Sequence, residues 1–256
     1  MSTQMRRVGA LVLLTLLTGC ATVRPAPDVE PSDTQPIDAW ARVLERFVDA
    51  RGRVDFERLK DDRTDLDRYV AWIYAVGPNN RPALFPARED QLAYHINAYN
   101  ALAMWNILQA GIPDRLGGFG RFSFFWRDRI EVGGERMSLY KYENEVIRPL
   151  NEPRIHFALN CMTLGCPRLP REPFRAAHLD AQLARETRRF FAEDRNLRID
   201  HERRTVYASQ ILDWFSEDFL NHAPSLITYI NRYARQPVPE DYTLAFIPYD
   251  WTVARQ

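Results

Sequence analysis

The sequence Tyr-His-Ile-Asn-Ala-Tyr-Asn-Ala, residues 94–101, lies at the centre of the longest helical pattern in this chain. The pattern covers about residues 88–110 and ends at Gly111, a residue type that commonly follows a helix. Asn97 and Asn100 are three residues apart and therefore lie on one face of the helix. Asparagine is a poor helix former, so two asparagines among large apolar residues indicate buried amides that hydrogen-bond to neighbouring backbone. The alternative is that one of them orients a ligand or a catalytic group.

Further helices and hairpins are predicted on both sides of this central helix. Apolar residues at helical spacing predict helices from Ile37 and at residues 65–76, 139–147, 178–192 and 209–220. Short strand-like segments separated by turns predict one hairpin at residues 126–138, with its turn at Gly133 and Gly134, and a second between residues 197 and 207.

Two more segments have strand patterns. Residues 154–161 alternate with period two, which predicts a strand with His156 and Cys161 on opposite faces. A last strand is predicted at residues 245–251. Because the strands come in pairs and do not alternate regularly with helices, we predict an α+β fold: a single domain of several helices packed on short antiparallel strands and hairpins.

The N-terminus has the features of a bacterial secretion signal. Arg6 and Arg7 precede a short apolar segment, residues 8–17, which is about half as long as a membrane span and is followed by small residues. Residues 17–20, Leu-Thr-Gly-Cys, are similar to a lipobox. This similarity predicts that residues 1–19 are a signal peptide and that Cys20 carries the lipid. The alternative is an ordinary secretory signal followed by a chance cysteine.

The mature chain is therefore predicted to be a lipid-anchored protein. Four prolines among few large apolar residues predict an extended tether at residues 20–36. A globular domain at residues 37–252 and a C-terminal tail at residues 253–256 follow. Residue 21 is alanine, whereas an aspartate at this place commonly retains Gram-negative lipoproteins in the inner membrane. We expect a cell-envelope protein on the periplasmic face of the outer membrane, with the membrane as its partner through the anchor.

Composition gives no support for a nucleic-acid partner. The chain has 34 Lys and Arg against 34 Asp and Glu residues, and removing two arginines with the signal peptide leaves it slightly acidic. No segment of the mature chain approaches the length of a second membrane span. The sequence predicts no cofactor, and it does not identify a protein or small-molecule partner.

One cluster with chemical potential contains His156, Cys161 and Cys166. Two nearby cysteines in an oxidising compartment often form a disulfide, so a Cys161–Cys166 disulfide, or a pair of inert thiols, is one interpretation. A second is a catalytic thiol, in which Cys166 folds back over the histidine and loses its proton to it. A third is metal binding by all three side chains, but the spacing is unusual and a fourth ligand is not evident. We therefore predict no metal site.

A further cluster contains Glu143, Arg148 and Arg154. The simplest interpretation is an ion pair that orients the end of the predicted helix at residues 139–147. Alternatively, the carboxylate orients His156, or an arginine binds an anionic substrate. A structural polar network or a ligand site is accordingly predicted from Asn97, Asn100, Arg148, Arg154 and Asn160.

Taken in order, several short blocks resemble the domain-of-unknown-function 547 family over about residues 37–252. They lie at residues 96–102, 138–149, 154–161, 165–167, 211–219 and 246–251. The family has no established activity, and its bacterial members are often exported or lipidated, which agrees with the predicted anchor. The chain departs from the common family pattern at His95, where tryptophan is usual, and at Asn144, where many members have histidine.

Two functional hypotheses follow from these observations. The first is a non-catalytic periplasmic binding or scaffold module held at the membrane. The alternative is a hydrolase or transferase with a papain-like or transglutaminase-like mechanism. In that case Cys166 would be the nucleophile, His156 the base and Glu143 or Asn97 the group that orients the base.

Overall fold

The structure, a computed structural model, describes residues 27–28, 30–32 and 34–256. The predicted signal peptide, the lipidated Cys20 and the first part of the predicted tether lie outside the described residues. Within the described part of the chain, no helix combines the length and the apolar character that crossing a membrane requires.

Helices dominate the first half of the described chain and recur between the later strands. In chain order the α-helices are α1 (Ile37–Phe47), α2 (Phe56–Asp61), α3 (Thr64–Ala75), α4 (Arg88–Gln109), α5 (Gly118–Phe122), α6 (Leu139–Lys141), α7 (Leu179–Phe191), α8 (Ile211–Trp214), α9 (Ser216–Leu220) and α10 (Leu226–Asn231). Wider π-helical turns at Ser123–Arg127 and Tyr142–Ile147 continue α5 and α6.

The strands form two small sheets. In the first, β1 (Arg129–Val132) pairs antiparallel with β2 (Glu135–Ser138). In the second, β3 (Leu197–Asp200) pairs antiparallel with β4 (Thr205–Ser209), and β5 (Thr243–Ile247) pairs parallel with β4. The predicted α+β class is confirmed, but one pairing is parallel rather than antiparallel. A parallel pairing needs a long crossover, and α8, α9 and α10 provide it.

Helix α4 lies at the centre of the larger apolar core. Every residue from Leu92 to Ile107 is buried, so the helix is covered on all sides by its neighbours, and α3 contacts both α1 and α4. A second core lies between the three-stranded sheet and α7, α9 and α10. Its largest buried side chains are Phe157, Phe190, Phe191, Phe219 and Tyr229.

Two asparagines of α4 hold neighbouring segments by paired hydrogen bonds. Asn97 donates to the Phe174 carbonyl (2.7 Å) and accepts from the Phe174 N–H (2.9 Å). Asn100 donates to the Ala158 carbonyl (3.0 Å) and accepts from the Asn160 N–H (2.7 Å). Both side-chain amides therefore bond to backbone groups that have no hydrogen-bond partner within a helix or strand. These bonds satisfy the buried amides and the buried backbone groups together.

Asn160 continues this network into the loop that carries the two cysteines. Its side-chain oxygen accepts from the Met162 N–H (2.6 Å), and its side-chain nitrogen donates to the Pro167 carbonyl (2.6 Å). The loop is thus closed across its base. Gly165 allows the end of the chain to pass over it, because a Cβ at this position would lie 2.8 Å from the Tyr249 ring.

The predicted strand at residues 154–161 is wrong. Pro153–Phe157 form a 3₁₀-helix, which proline suits at its first position and which Glu152 caps by accepting from the Arg154 N–H (3.2 Å). The alternating pattern led to a wrong prediction because two of its polar residues, His156 and Asn160, are as buried as the apolar ones. An alternating pattern identifies a strand face only when one of its two faces meets water.

Most other predicted elements are present, with shifted ends. Ser138 caps α6 by accepting from the Lys141 N–H (3.1 Å), but the helix then widens into the π-helical turn. The helix predicted at residues 209–220 is divided at Phe215 into α8 and α9. The last strand begins and ends earlier than predicted, because Pro248 cannot continue it. Helices α2, α5 and α10 were not predicted.

The segment 253–256, predicted as a C-terminal tail, is hydrogen-bonded into the domain. The Val54 N–H donates to the Ala254 carbonyl (2.8 Å), and the Ala254 N–H donates to the Met162 carbonyl (2.9 Å). The end of the chain therefore connects the loop after α1 to the cysteine loop.

We predict that Asn100→Ala lowers the free energy of unfolding by about 2–4 kcal/mol, because it leaves the Ala158 carbonyl and the Asn160 N–H buried without partners. Asn106 provides a matched control on the same helix, since its buried side-chain amide has no hydrogen-bond partner among the described residues. Asn106→Ala should cost about 1 kcal/mol or less. Urea denaturation measures the free energy of unfolding of both variants. Equal losses would contradict the stabilising role of the Asn100 hydrogen bonds.

Candidate functional site

A cavity of about 620 Å³ lies between α4, the π-helical turns, the cysteine loop and the end of the chain. Aromatic side chains form a large part of its lining: Phe122, Phe125, Trp126, Tyr140, Trp214, Phe215, Tyr249 and Trp251. The polar side chains that line it are Tyr99, Arg121, Glu143, Asn144, Arg148, His156 and the thiols of Cys161 and Cys166. The cavity therefore brings together most of the candidate residues predicted from the sequence.

The two cysteines are neighbours on the wall of this cavity. Both are buried free thiols in the structure, and their sulfur atoms lie 2.6 Å apart. This separation is shorter than a contact between unbonded sulfur atoms and longer than the ~2.05 Å of a disulfide bond. The pair is thus placed for a disulfide without a rearrangement of the loop, so the disulfide and the thiol interpretations both remain open.

Cys166 is surrounded by hydrogen-bond donors. Its Sγ atom lies 2.9 Å from the Tyr249 hydroxyl, 2.9 Å from the Cys161 N–H and 3.5 Å from the Thr163 hydroxyl. Burial raises the pKa of Cys166, but hydrogen bonds from Cys161, Thr163 and Tyr249 outweigh burial and lower that pKa to about 6. Burial, and then the neighbouring Cys166, raise the pKa of Cys161. In the reduced state Cys166 is therefore the thiolate and Cys161 the thiol.

Glu143 lies on the π-helical turn and accepts a hydrogen bond from the Tyr99 hydroxyl (2.8 Å). Burial raises the pKa of Glu143 to about 7, the negative charge of Cys166 adds to the increase, and the bond from Tyr99 opposes it. Glu143 therefore exchanges a proton near neutral pH. This is the range in which a carboxyl group can serve as a general acid or base.

His156 is held by Asp218 rather than by Glu143. The His156 Nε2 atom lies 2.7 Å from Asp218 Oδ2, and the imidazole ring stacks on Phe215 with centroids 4.0 Å apart. Burial lowers the pKa of His156, although Asp218 opposes the decrease. The imidazole is thus neutral at pH 7, with Nε2–H donating to the carboxylate.

Arg148 completes this network from the π-helical turn. Its Nε and Nη2 atoms donate to both oxygens of Asp218 (2.7 and 2.8 Å), and its Nη1 donates to Asn144 Oδ1 (2.7 Å). Burial raises the pKa of Asp218, but the bonds from Arg148 and His156 outweigh it and hold that pKa well below its usual range. These bonds use three of the five N–H groups of the guanidinium and hold it against Asp218 and Asn144.

These contacts correct three sequence-based interpretations. Glu143 does not form the predicted ion pair with Arg148 or Arg154, and it does not orient His156. Arg154 lies outside the cavity lining, where it pairs with Glu152 (2.7 Å) and Asp180 (2.7 Å). Among the described residues, no three His, Cys, Asp or Glu side chains are arranged to hold a metal ion, so the structure does not assemble the metal site considered for His156 and the cysteines.

The sequence analysis missed three residues of the site: Tyr99, Asp218 and Tyr249. Tyr99 lies within the central helical pattern, one residue before Asn100, and its position beside the asparagines was the signal that could have identified it. Asp218 and Tyr249 lie within blocks of the family resemblance. Their contacts with His156 and Cys166 depend on pairings across 62 and 83 residues, which no local pattern reveals.

Comparison with protein families supports the resemblance over part of the chain. The family model described as "Protein of unknown function, DUF547" matches residues 84–191. The match contains α4, Glu143, Arg148 and both cavity cysteines, whereas Asp218 and Tyr249 lie beyond it. Comparisons with curated proteins and with solved structures find no match.

In the reduced protein, we predict that iodoacetamide modifies Cys166 with a rate that rises through a midpoint near pH 6, because the thiolate is the reactive form. Tyr249→Phe should shift this midpoint to higher pH, since it removes a donor to the thiolate. Tyr242→Phe, which changes a half-buried tyrosine outside the cavity lining, should not. Peptide mapping by mass spectrometry measures the modification. If both cysteines of the native protein react only after reduction, the pair is a disulfide. A midpoint near the ordinary thiol value of about 8.5 in the reduced protein would contradict the prediction.

A second prediction concerns the pH dependence of stability. Because the pKa of Glu143 is about 7 in the folded protein and near 4.5 when exposed, the folded state binds the proton more tightly. Its contribution to stability is present below pH 4.5 and is lost as the pH rises through 7. From pH 5 to pH 8, the wild type should lose about 2 kcal/mol of unfolding free energy relative to Glu143→Gln. Chemical denaturation at both pH values measures the loss.

The control for this experiment is Glu145→Gln, which changes an exposed carboxylate on the same turn. It should retain the wild-type pH dependence. Parallel stability curves for the wild type and Glu143→Gln would contradict the raised pKa.

Proposed function

We propose that this chain is an exported lipoprotein, anchored at the periplasmic face of the outer membrane through Cys20, whose domain binds a small organic molecule in the aromatic cavity. The observation that carries the proposal is the cavity itself. Its volume of about 620 Å³ lies within the roughly 300–1,000 Å³ of typical small-molecule sites. The lipobox similarity at residues 17–20 supports the anchor.

The walls of the cavity favour a ligand with an apolar body. Nine of the twenty lining residues are Phe, Trp or Tyr, and the flat faces of their rings pack well against rings and chains. A few polar groups on the same lining would orient one end of the ligand.

The charges around Glu143 and Cys166 favour a ligand group that donates hydrogen bonds. Arg148 gives three of its N–H groups to Asp218 and Asn144. The Glu143 carboxyl and the Cys166 thiolate can accept a proton or a hydrogen bond. An amide, amine or hydroxyl group matches these acceptors, whereas an anionic group would instead lie against Arg121, which lines the same cavity.

The neutral dye N-phenyl-1-naphthylamine has this chemistry, with aromatic rings and one N–H group. We expect saturable binding with a rise in fluorescence, and at least a tenfold loss of affinity in Asn144→Trp, whose larger side chain fills part of the cavity. Asn221→Trp places the same side chain on an exposed helix end and should bind as the wild type does. No binding by the wild type, or equal binding by both variants, would refute the ligand-binding function.

Thiol-dependent hydrolysis or transfer is a second candidate, and the donors around Cys166 favour it. The thiolate would attack an electrophilic acyl carbon and form a thioester, the protonated Glu143 would give its proton to the leaving group, and water or another acceptor would release the acyl group. His156 would then be a positioning residue of the network with Asp218 rather than the base. A disulfide detected by the alkylation experiment would exclude this candidate and leave the binding function intact.

A further inference from the structure

Exposed aromatic side chains are concentrated at the mouth of the cavity. Seven large hydrophobic side chains of the described residues are at least two-fifths exposed. Five of them form what we call the aromatic rim: Phe119, Phe122, Trp126, Tyr140 and Trp214. Four of these five line the cavity, and the fifth, Phe119, contacts Phe122 with ring centroids 6.1 Å apart.

Four of the five rings of the rim are in contact with one another, and the fifth, Trp214, contacts Trp251 at 5.8 Å. Phe122 stacks on Trp126 at 6.3 Å, and Trp126 contacts Tyr140 at 5.3 Å. Phe119 is 66% exposed, which places it at the outermost part of the surface. Single exposed apolar residues need no explanation, but a continuous exposed patch marks a surface that another phase or molecule covers.

The charge beside the rim is positive. Residues 115–127 contain three arginines and no acidic residue. The Arg127 guanidinium lies 5.4 Å from the centre of the Phe119 ring, and the Arg121 guanidinium lies 4.7 Å from the centre of the Trp251 ring. Neither guanidinium has an ion-pair partner among the described residues, so both are available to anions.

Aromatic rings with adjacent arginines match the interfacial region of a phospholipid bilayer. Phenylalanine and tryptophan rings favour the boundary between headgroups and acyl chains, and arginine side chains extend their charge to anionic headgroups. A protein partner with an acidic border would use the same charges. The position of the tether favours the bilayer.

The described part of the tether lies on the side of the domain that carries the first hairpin. A shallow depression is lined by Pro27, Glu30 and Pro31 of the tether, by Tyr74 of α3 and by Glu131 of β1. Strand β1 begins two residues after Arg127. From Cys20 to Pro27 the chain can extend no more than about 25 Å. A lipid on Cys20 would therefore keep this side of the domain close to the membrane.

We propose that the aromatic rim rests in the interfacial region of an anionic bilayer, so that the cavity opens toward the membrane. The inference uses the anchor of the proposed function and extends it, because the lipid alone would bring one side of the domain near the membrane without fixing which surface enters the bilayer. A cavity with its mouth at the bilayer surface receives ligands that partition into the membrane, which agrees with its aromatic walls.

The test uses the full chain reconstituted into vesicles of phosphatidylcholine and phosphatidylglycerol that carry brominated acyl chains, which quench tryptophan fluorescence on contact. We expect quenching of the wild type relative to the same vesicles without bromine. Trp126→Phe should remove about half of this quenching, because Trp126 and Trp214 are the exposed tryptophans of the rim. Trp72→Phe, which changes a fully buried tryptophan, should leave the quenching unchanged.

Two further measurements separate the inference from the proposed function. If the chain floats with vesicles and binds the dye but Trp126 is not quenched, the function stands and the inference is overturned. If Trp126 is quenched while the dye does not bind, the inference stands and the ligand-binding function falls. Sedimentation that reveals a dimer, together with unquenched tryptophans, would assign the rim to a contact between two copies and overturn the membrane orientation.

Discussion

The geometry of the site depends on the paired hydrogen bonds between Asn100 and the backbone of residues 158 and 160. These bonds fix the start of the cysteine loop against α4, and Asn160 then spans the loop from Met162 to Pro167. Because the loop is closed across its base, the two sulfur atoms must approach each other. The position of Cys166 beside Tyr249 is thus a consequence of buried amides in a helix more than 60 residues earlier.

The same buried setting determines the charges in the cavity. Burial alone would keep Glu143 protonated and Cys166 as a thiol. The thiol nevertheless ionises, because three donors converge on its sulfur. Among the described residues, Glu143 receives a hydrogen bond from Tyr99 only. The negative charge that Cys166 acquires then raises the pKa of Glu143 further. The proton affinity of the carboxyl group therefore depends on the state of the thiol, and a disulfide would remove that influence.

The sequence correctly predicted the elements that depend on residues close together in the chain. The prediction was wrong for a segment in which polar and apolar residues are buried alike. The central helix, the first hairpin and the Ser138 cap depend on neighbouring residues, so their patterns were sufficient. The segment at residues 154–161 was assigned to a strand because its polar residues alternate with apolar ones. His156 and Asn160 are nevertheless buried, because each forms a hydrogen bond inside the protein, His156 with Asp218 and Asn160 with Asn100. Five of the candidate residues line one cavity: Glu143, Arg148, His156, Cys161 and Cys166. Their partners Asp218 and Tyr249 were not predicted, because each lies far away in the chain.

The two departures from the family pattern have different consequences in this structure. His95 is buried within hydrogen-bond distance of the Tyr142 hydroxyl (2.8 Å), and burial lowers the pKa of His95 to about 4, so a neutral ring takes the place of tryptophan in the core. Asn144 instead faces the cavity and accepts from Arg148 Nη1, which does not bond to Asp218. A histidine there could carry a proton, whereas the asparagine amide stays neutral. The acceptors on Glu143 and Cys166 therefore favour ligand groups that donate hydrogen bonds.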